Sequence, residues 1–144
     1  MTDMEGWVAF VGAGPGDDGL LTLRGARLLG AAGLVIAEAE VADRVRHLLA
    51  EDVRLAVPSG ADGTARELVQ AAKSGLFAVR LLPGDPLLSG AAAEVQACAQ
   101  AQVRFEIVPG VAPATGVPAY AGIALPADGG ELRIVHANEV SQVG

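Results

Sequence analysis

The sequence has few aromatic residues, few charges and a single cysteine. Aromatic residues make up 3% of the 144 residues and charged residues 19%, whereas 51% of the residues are hydrophobic. A core is therefore available, but Ala, Leu and Val must build it, which favours close packing of helices on a sheet over a large β-sandwich. The low charge and the high apolar content also argue against a disordered chain.

Basic residues are scarce as well. Ten Lys and Arg residues face seventeen Asp and Glu residues, which gives a net charge of −7. Nucleic-acid binding depends on a basic surface that releases counterions from phosphates, so this balance disfavours a nucleic-acid partner. The N-terminus shows no signal-peptide pattern and no apolar run has the length of a membrane span. We therefore expect a soluble cytoplasmic protein with no membrane partner.

Cysteine and histidine offer little chemistry in this sequence. Cys98 cannot form a disulfide within the chain and lies in an Ala-rich run, so we expect a small buried residue rather than a nucleophile. His47 and His136 have no partners at ligand spacing. This disfavours a metal site, and we expect both to be ordinary surface or hydrogen-bonded histidines.

Short apolar runs alternate with segments of helical spacing. The apolar runs are continuous, as in strands covered on both faces, and lie at residues 7–11, 34–37, 53–57, 77–82 and 103–108. Helices are predicted after the capping residue Thr22 towards Gly30, and over residues 42–50, 64–73 and 91–101. Repeated alternation of strand and helix predicts an α/β fold, a mostly parallel sheet flanked by helices.

The pattern changes near the end of the sequence. Residues 126–130, Pro-Ala-Asp-Gly-Gly, break it, and residues 132–135 look like one new strand. A solitary strand has little to pair with. We therefore expect one domain over residues 1–125, and over residues 126–144 a linker with the first strand of a second α/β domain that is largely missing.

A glycine-rich loop follows the first strand, with the sequence Val-Gly-Ala-Gly-Pro-Gly-Asp at residues 11–17. Ligands of open α/β sheets bind beyond the carboxyl ends of the strands, and glycines let the backbone approach them. Gly12 and Gly14 match the start of a dinucleotide fingerprint, with Glu38 near the ribose-binding position. Against this, Asp17 stands where the third glycine belongs and Pro15 lacks a backbone donor. A tight turn without a ligand remains an equal explanation of the loop alone.

The glycine loop is the start of the first of three sequence blocks. The first block continues through Gly-Leu-Leu-Thr-Leu-Arg-Gly-Ala at residues 19–26, and the second is Arg-Leu-Leu-Pro-Gly-Asp-Pro-Leu-Leu-Ser-Gly at 80–90. The third is Phe-Glu-Ile-Val-Pro-Gly-Val at 105–111, with Val-Pro-Ala-Tyr-Ala-Gly-Ile at 117–123. In their residues, order and spacing, the three blocks resemble the uroporphyrinogen-III C-methyltransferases of the tetrapyrrole methylase family. The sequence is most similar to the N-terminal methylase-like part of actinobacterial bifunctional uroporphyrinogen-III C-methyltransferase/synthase proteins.

The resemblance implies a tetrapyrrole methylase N-terminal domain that binds S-adenosyl-L-methionine in a cleft between two α/β domains, and a homodimer. It implies C-methylation of uroporphyrinogen III towards precorrin-2, with S-adenosyl-L-homocysteine as the second product. The implied cofactor contacts are Pro15, Pro83, Gly84, Asp85, Leu88, Ala112 and Pro113. In this scheme the Asp85 carboxylate and the backbone carbonyls face the amino acid head, and Pro15 and Leu88 face the adenosine.

The resemblance also assigns a candidate catalytic residue. The family's acid–base aspartate falls on Glu38, which would accept a proton as the pyrrole becomes nucleophilic. A solvated carboxylate at the end of a strand is an equal alternative for this residue.

Three cationic stretches of the family are replaced in this sequence. Ser59 stands at the position of a lysine, Ala-Ala-Ala-Glu at 91–94 replaces Arg-Gly-Gly-Glu, and Pro-Ala-Asp at 126–128 replaces Thr-His-Arg. A tetrapyrrole ringed by carboxylates normally needs arginine or lysine partners. Three hypotheses follow: the methyltransferase itself; a non-catalytic methylase-like module that acts as scaffold or partner of a fused uroporphyrinogen-III synthase; and, least favoured, a dinucleotide-binding domain.

Overall fold

Five strands carry the apolar runs of the sequence: β1 (Trp7–Gly12), β2 (Leu34–Ile36), β3 (Arg54–Ala56), β4 (Phe77–Leu82) and β5 (Phe105–Val108). The computed structural model describes residues 5–126 and 129–136, and the chain divides into one compact unit up to Ala112 and another from Pro113. All five predicted strands of the first unit are confirmed, although β2, β3 and β5 are shorter than their apolar runs.

The strands form one parallel sheet in the order β3-β2-β4-β1-β5. The two longest strands, β1 and β4, lie side by side in full register from Trp7 opposite Phe77 to Gly12 opposite Leu82. Because all strands run in the same direction, the loops that follow them meet at one edge of the sheet, which we call the carboxyl edge.

Four helices cover the sheet of the first unit: α1 (Leu23–Ala31), α2 (Ala39–Val45), α3 (Gly60–Lys73) and α4 (Ala92–Gln100). Buried residues of α1 and α2 pack in one apolar cluster with Ala9 and Val11, whereas those of α3 and α4 pack in another with Val8 and Phe10. Successive residues of β1 therefore point to opposite faces, and both faces are buried. The predicted α/β architecture with helices on both faces of a parallel sheet is confirmed.

The helix boundaries follow local capping more than apolar spacing. Thr22 caps α1 as predicted, since its hydroxyl accepts a hydrogen bond from the amide of Gly25 at 3.0 Å. The helix predicted over residues 42–50 begins earlier, at Ala39, and its last part is a 3₁₀ turn at Arg46–Leu48. The helix predicted from Thr64 begins at Gly60, because the buried Thr64 hydroxyl accepts the amide of Ser59 from inside the first turns.

The second unit contains α5 (Pro113–Ala121), which the apolar pattern did not predict. Pro113 suits the first turn of a helix. Pro118, however, lies inside the helix and removes a backbone donor, so the sequence of this segment does not look helical. Residues 131–136, which include the predicted strand at 132–135, lie in no strand of the described chain. A strand that opens a second domain would pair with strands of that domain, so this part of the domain prediction stays a prediction. The domain boundary after residue 125 stays a prediction.

Cys98 is the buried residue that the sequence predicts. Its side chain is fully buried in α4, and burial, followed by the charge of Glu94, raises the pKa of its thiol from 9.0 to about 11. The described residues contain no helix long and apolar enough to cross a membrane. Over the same residues, His, Cys, Asp and Glu form no group of three that could hold a metal ion.

A candidate ligand site at the carboxyl edge of the sheet

Three loops meet at the carboxyl edge of the adjacent strands β4, β1 and β5. The connection from β1 leads through α1 on one face of the sheet, whereas the connection from β4 leads through α4 on the other face. Neighbouring loops that leave towards opposite faces create the crevice in which open α/β sheets bind ligands. The glycine loop at residues 11–17 and the loop at residues 83–90 therefore flank the β1–β4 crevice, and residues 109–112 follow β5 beside it.

The loops approach each other so closely that Gly12 and Gly110 have no room for a side chain. A Cβ on Gly12 would lie 2.4 Å from the carbonyl oxygen of Gly84 and 2.7 Å from Cα of Gly110. A Cβ on Gly110 would lie 2.1 Å from the same oxygen. All three distances are far below van der Waals contact, and the obstructing atoms are backbone. Gly110 is thus a structural residue of the site that the sequence reasoning did not single out.

Hydrogen bonds join the loops that follow β1 and β4. The amide of Gly14 donates to the carbonyl of Gly84 at 3.2 Å, and the amide of Gly84 donates to the carbonyl of Gly14 at 2.9 Å. Ala13 donates to Leu82 at 2.7 Å. Two amides of the glycine loop therefore donate to the strand and loop beside it, and Pro15 has no amide hydrogen to donate. A pyrophosphate would find neither amide available, so this geometry removes the support for the dinucleotide hypothesis.

Asp85 joins the loop after β4 to the loop after β5. One carboxylate oxygen accepts the amide of Gly110 at 3.0 Å, and the other accepts the amide of Leu87 at 3.1 Å. Charge-assisted hydrogen bonds of this kind are stronger than neutral ones. Asp85 is half-buried, and each of its oxygens retains a further lone pair for a ligand. Its first role in the structure is to hold the two loops together.

The rest of the loop after β4 presents apolar side chains on a fixed backbone. The hydroxyl of Ser89 donates to the carbonyl of Pro83, and the amide of Ser89 donates to the carbonyl of Asp85 at 2.9 Å. Leu87 and Leu88 are 56% and 46% exposed. Exposed leucines on a loop that is held by three hydrogen bonds are suited to contact an apolar part of a ligand.

Glu38 lies two positions after the end of β2, at Ile36, and is the residue before α2. Its side chain is exposed and makes no capping hydrogen bond, while its carbonyl accepts the amide of Ala42 at 3.0 Å. A groove of about 400 Å³ runs beside it, lined by Ala37, Ala39, Ala42, Asp43, Arg46, Leu55, Ala56 and Val57. The carboxylate thus lies at the carboxyl edge beside a largely apolar groove.

The remaining predicted contacts are distributed over both units. Pro15 is half-buried in the glycine loop, and Ala112 is half-buried at the end of the first unit. Pro113 begins α5 and belongs to the second unit. The first unit therefore brings six of the seven predicted cofactor contacts to loops at its carboxyl edge: Pro15, Pro83, Gly84, Asp85, Leu88 and Ala112.

The replaced cationic stretches occupy different environments. Ser59 is exposed before α3, whereas Ala91 is completely buried in the core. Glu94 is buried and forms an ion pair with Arg80, at 3.0 Å between Oε2 and Nε. Residues 91–94 therefore support the packing of α4 on β4. Of the third stretch, Pro126 is exposed and Ala127 and Asp128 lie outside the described residues.

Comparison with known proteins identifies relatives of this chain. The profile of the Tetrapyrrole (Corrin/Porphyrin) Methylases matches residues 8–142. Siroheme synthase 1 of Klebsiella pneumoniae is 43% identical over 129 residues, which is 83% of this chain and 27% of that protein. Siroheme synthase 1 of Yersinia enterocolitica is 45% identical over 130 residues, 84% of this chain and 28% of that protein.

Solved structures give the same fold. A uroporphyrin-III-C-methyltransferase from Thermus thermophilus superposes with a TM-score of 0.78 at 33% identity, over 88% of this chain and 57% of the other. A structure of the Thermus uroporphyrin-III C-methyltransferase complexed with S-adenosyl homocysteine superposes with a TM-score of 0.72 at 38% identity, over 86% and 55%. The chain thus spans little more than half of these structures and about a quarter of the siroheme synthases.

Proposed function

Since this chain belongs to the tetrapyrrole methylase family, we propose that it is the cofactor-binding part of an S-adenosyl-L-methionine-dependent methyltransferase. The substrate we propose is uroporphyrinogen III, methylated on carbon towards precorrin-2. Sequence identity of 33% and 38% to structures of uroporphyrin-III C-methyltransferase supports this choice. The observation that carries the proposal is the meeting of the loops after β1, β4 and β5 at one edge, in a chain whose relative was solved with S-adenosyl homocysteine.

The residues at the carboxyl edge fit this cofactor. Adenosine needs apolar contact, which the exposed Leu88 and the ring of Pro15 offer. A cationic sulfonium and ammonium need oxygen acceptors, which the carboxylate of Asp85 and the carbonyls of Pro83 and Gly84 offer. The cofactor supplies an electrophilic methyl group when bound. The loops of this chain would orient it, and Ala112 and Pro113 are proposed as further contacts.

Glu38 is the proposed proton acceptor of the reaction. Carbon methylation of a pyrrole releases a proton, and a positioned general base typically contributes about 10²–10⁴-fold to the rate. The carboxylate of Glu38 is exposed at the carboxyl edge and has no capping hydrogen bond. We therefore expect Glu38→Gln to leave cofactor affinity unchanged and to reduce kcat by at least about 100-fold. An unchanged kcat would assign Glu38 to the solvated surface.

A second candidate function is a non-catalytic methylase-like module. The observation that favours it is the environment of the replaced residues: Ala91 is fully buried and Glu94 is committed to Arg80, so residues 91–94 present no cation to a substrate. Ser59 adds no charge before α3. Such a module would bind the methyl donor or a fused uroporphyrinogen-III synthase without methylating the tetrapyrrole.

Calorimetric titration of the intact protein with S-adenosylhomocysteine tests the proposal. Asp85→Ala should weaken binding, and Asp62→Ala, an exposed carboxylate in the first turn of α3, is the matched control. Asp85→Asn separates two roles: it keeps one acceptor oxygen for the loops but removes the charge. No binding to the wild type, or equal binding to Asp85→Ala, would contradict the proposed site. Binding without turnover of uroporphyrinogen III would favour the module.

We also propose a cytoplasmic homodimer. Analytical ultracentrifugation of the intact protein at increasing concentration measures its mass directly. A monomer at the highest concentration would contradict the dimer.

A further inference from the structure

Arg44 lies near the end of α2, exposed at the carboxyl edge beside the glycine loop. A Cβ placed on Gly16 would lie 3.6 Å from Nη1 of Arg44, which puts the guanidinium over this loop. The crevice between the loop and α2, which Arg44 lines, holds a free volume of only about 10 Å³. That is too small for a ligand, so a ligand at this point would contact the guanidinium from outside the crevice.

The guanidinium has no partner in the part of the chain that the structure describes. The nearby carboxylate of Asp18 pairs with His47 at 2.9 Å, and Glu40, one helical turn before Arg44, makes no ion pair with it. Arginine carries five donors in a planar fork that matches a carboxylate. Because His47 already pairs with Asp18, the guanidinium fork of Arg44 remains open to a carboxylate from outside the chain.

The position of Arg44 relates it to the proposed site. Glu38 immediately precedes α2, and Arg44 lies six positions later, about 9 Å along the helix axis at 1.5 Å per residue. The proposed base therefore lies at the start of α2 and the unpaired cation near its end, beside the loop that contains Pro15. Both proposed reactants carry carboxylates: the amino acid part of the cofactor has one and the tetrapyrrole has several.

We propose that Arg44 is a carboxylate-binding residue of this site, which holds one reactant beside the glycine loop. The inference rests on the proposed function. Arg44 would provide a cation for a carboxylate, which Ser59 and residues 91–94 do not provide. The shared chemistry is a carboxylate, and its source is either the amino acid part of the cofactor or an acidic arm of the tetrapyrrole.

The test compares Arg44→Gln with wild type in the intact protein. Arg66→Gln is the matched control, since Arg66 is an exposed arginine of α3 without an ion pair in the described chain. Each protein is titrated with three probes: S-adenosylhomocysteine, 5′-methylthioadenosine and uroporphyrin III. Methylthioadenosine keeps the adenosine and the sulfur of the cofactor but lacks its carboxylate.

We expect Arg44→Gln to lower the affinity for one of the two carboxylate-bearing probes about tenfold, because one charge-assisted pair is lost. The affinity for methylthioadenosine should stay unchanged. Weaker binding of S-adenosylhomocysteine assigns the cofactor carboxylate, and weaker binding of uroporphyrin assigns the tetrapyrrole. Arg44→Lys should recover part of the loss, and Arg66→Gln should match wild type.

If the wild type binds the probes, two results would contradict the proposed role of Arg44. One is unchanged affinity for all three probes in Arg44→Gln. The other is an equal loss for S-adenosylhomocysteine and methylthioadenosine, which would show a general disturbance of the loop. Failure of the wild type to bind any probe is a different outcome: it refutes the proposed function, and the role of Arg44 falls with it.

Discussion

Substitution of Gly110 by alanine tests the contact between the three loops. The new Cβ would lie 2.1 Å from the carbonyl oxygen of Gly84 and 2.8 Å from Cα of Gly12. Relief requires the Cβ and the carbonyl oxygen to separate by about 1.4 Å, since non-bonded heavy atoms settle near 3.5 Å. All of the obstructing atoms belong to the backbone, so no side-chain rotation can relieve the overlap.

The cost has two sources. Overpacking of a tight contact costs about 1–3 kcal/mol. Displacement of the loop after β5 also breaks the hydrogen bond from the Gly110 amide to Asp85, which accepts it at 3.0 Å, and a bond to a charged group is worth about 1.5–3 kcal/mol. We therefore expect Gly110→Ala to lower the free energy of unfolding by about 3–5 kcal/mol, a large part of the total for a domain of this size.

Urea unfolding followed by tryptophan fluorescence measures this change. Trp7 is the single tryptophan and stacks on Phe77 across β1 and β4, with ring centroids 4.2 Å apart, so its emission reports the central strands. Gly30→Ala is the matched control, because its Cβ would make ordinary contact at 3.4 Å and alanine is the better helix former by up to about 1 kcal/mol. A Gly110→Ala midpoint equal to wild type would refute the reasoning.

The same titration checks three further predictions. Burial and the charge of Glu94 raise the pKa of Cys98 to about 11 in the folded chain, so the folded state keeps the thiol proton that the unfolded state loses. The free energy of unfolding should therefore fall between about pH 9 and pH 11, by up to about 1.4 kcal/mol per pH unit, and Cys98→Ala should abolish that slope. Glu94→Gln should cost about 3–5 kcal/mol because it leaves the guanidinium of Arg80 buried with an incomplete partner, and joint replacement by Glu94→Leu and Arg80→Met should recover most of the loss; an equal loss in the double variant would contradict this. Thr22→Ala should cost about 1 kcal/mol through loss of the bond to the Gly25 amide, whereas Thr22→Ser should not, and equal stability of the two variants would exclude the cap.

Most strands and helices could be predicted from the sequence, because a strand that is buried on both faces has a mostly apolar sequence. Strands β1 and β4 read as continuous apolar runs, and Thr22 marks the start of α1. Helix α5 could not be predicted in this way, since Pro118 conflicts with a helical interior. Residues 132–135 are apolar but lie in no strand of the described chain, because an apolar run forms a strand only beside a second strand that can pair with it.

The sequence alone determined the residue types of the candidate site, and the fold decided which of them meet. Pro15, Asp85 and Gly110 are far apart in the chain, and the parallel order β4-β1-β5 brings their loops to one edge. No sequence pattern shows that Asp85 accepts the amide of Gly110, or that Arg44 lies over Gly16, because these contacts depend on crossover connections between distant strands. The glycine loop fixed where a ligand can approach, and tertiary packing determined which charges remain unpaired to receive it.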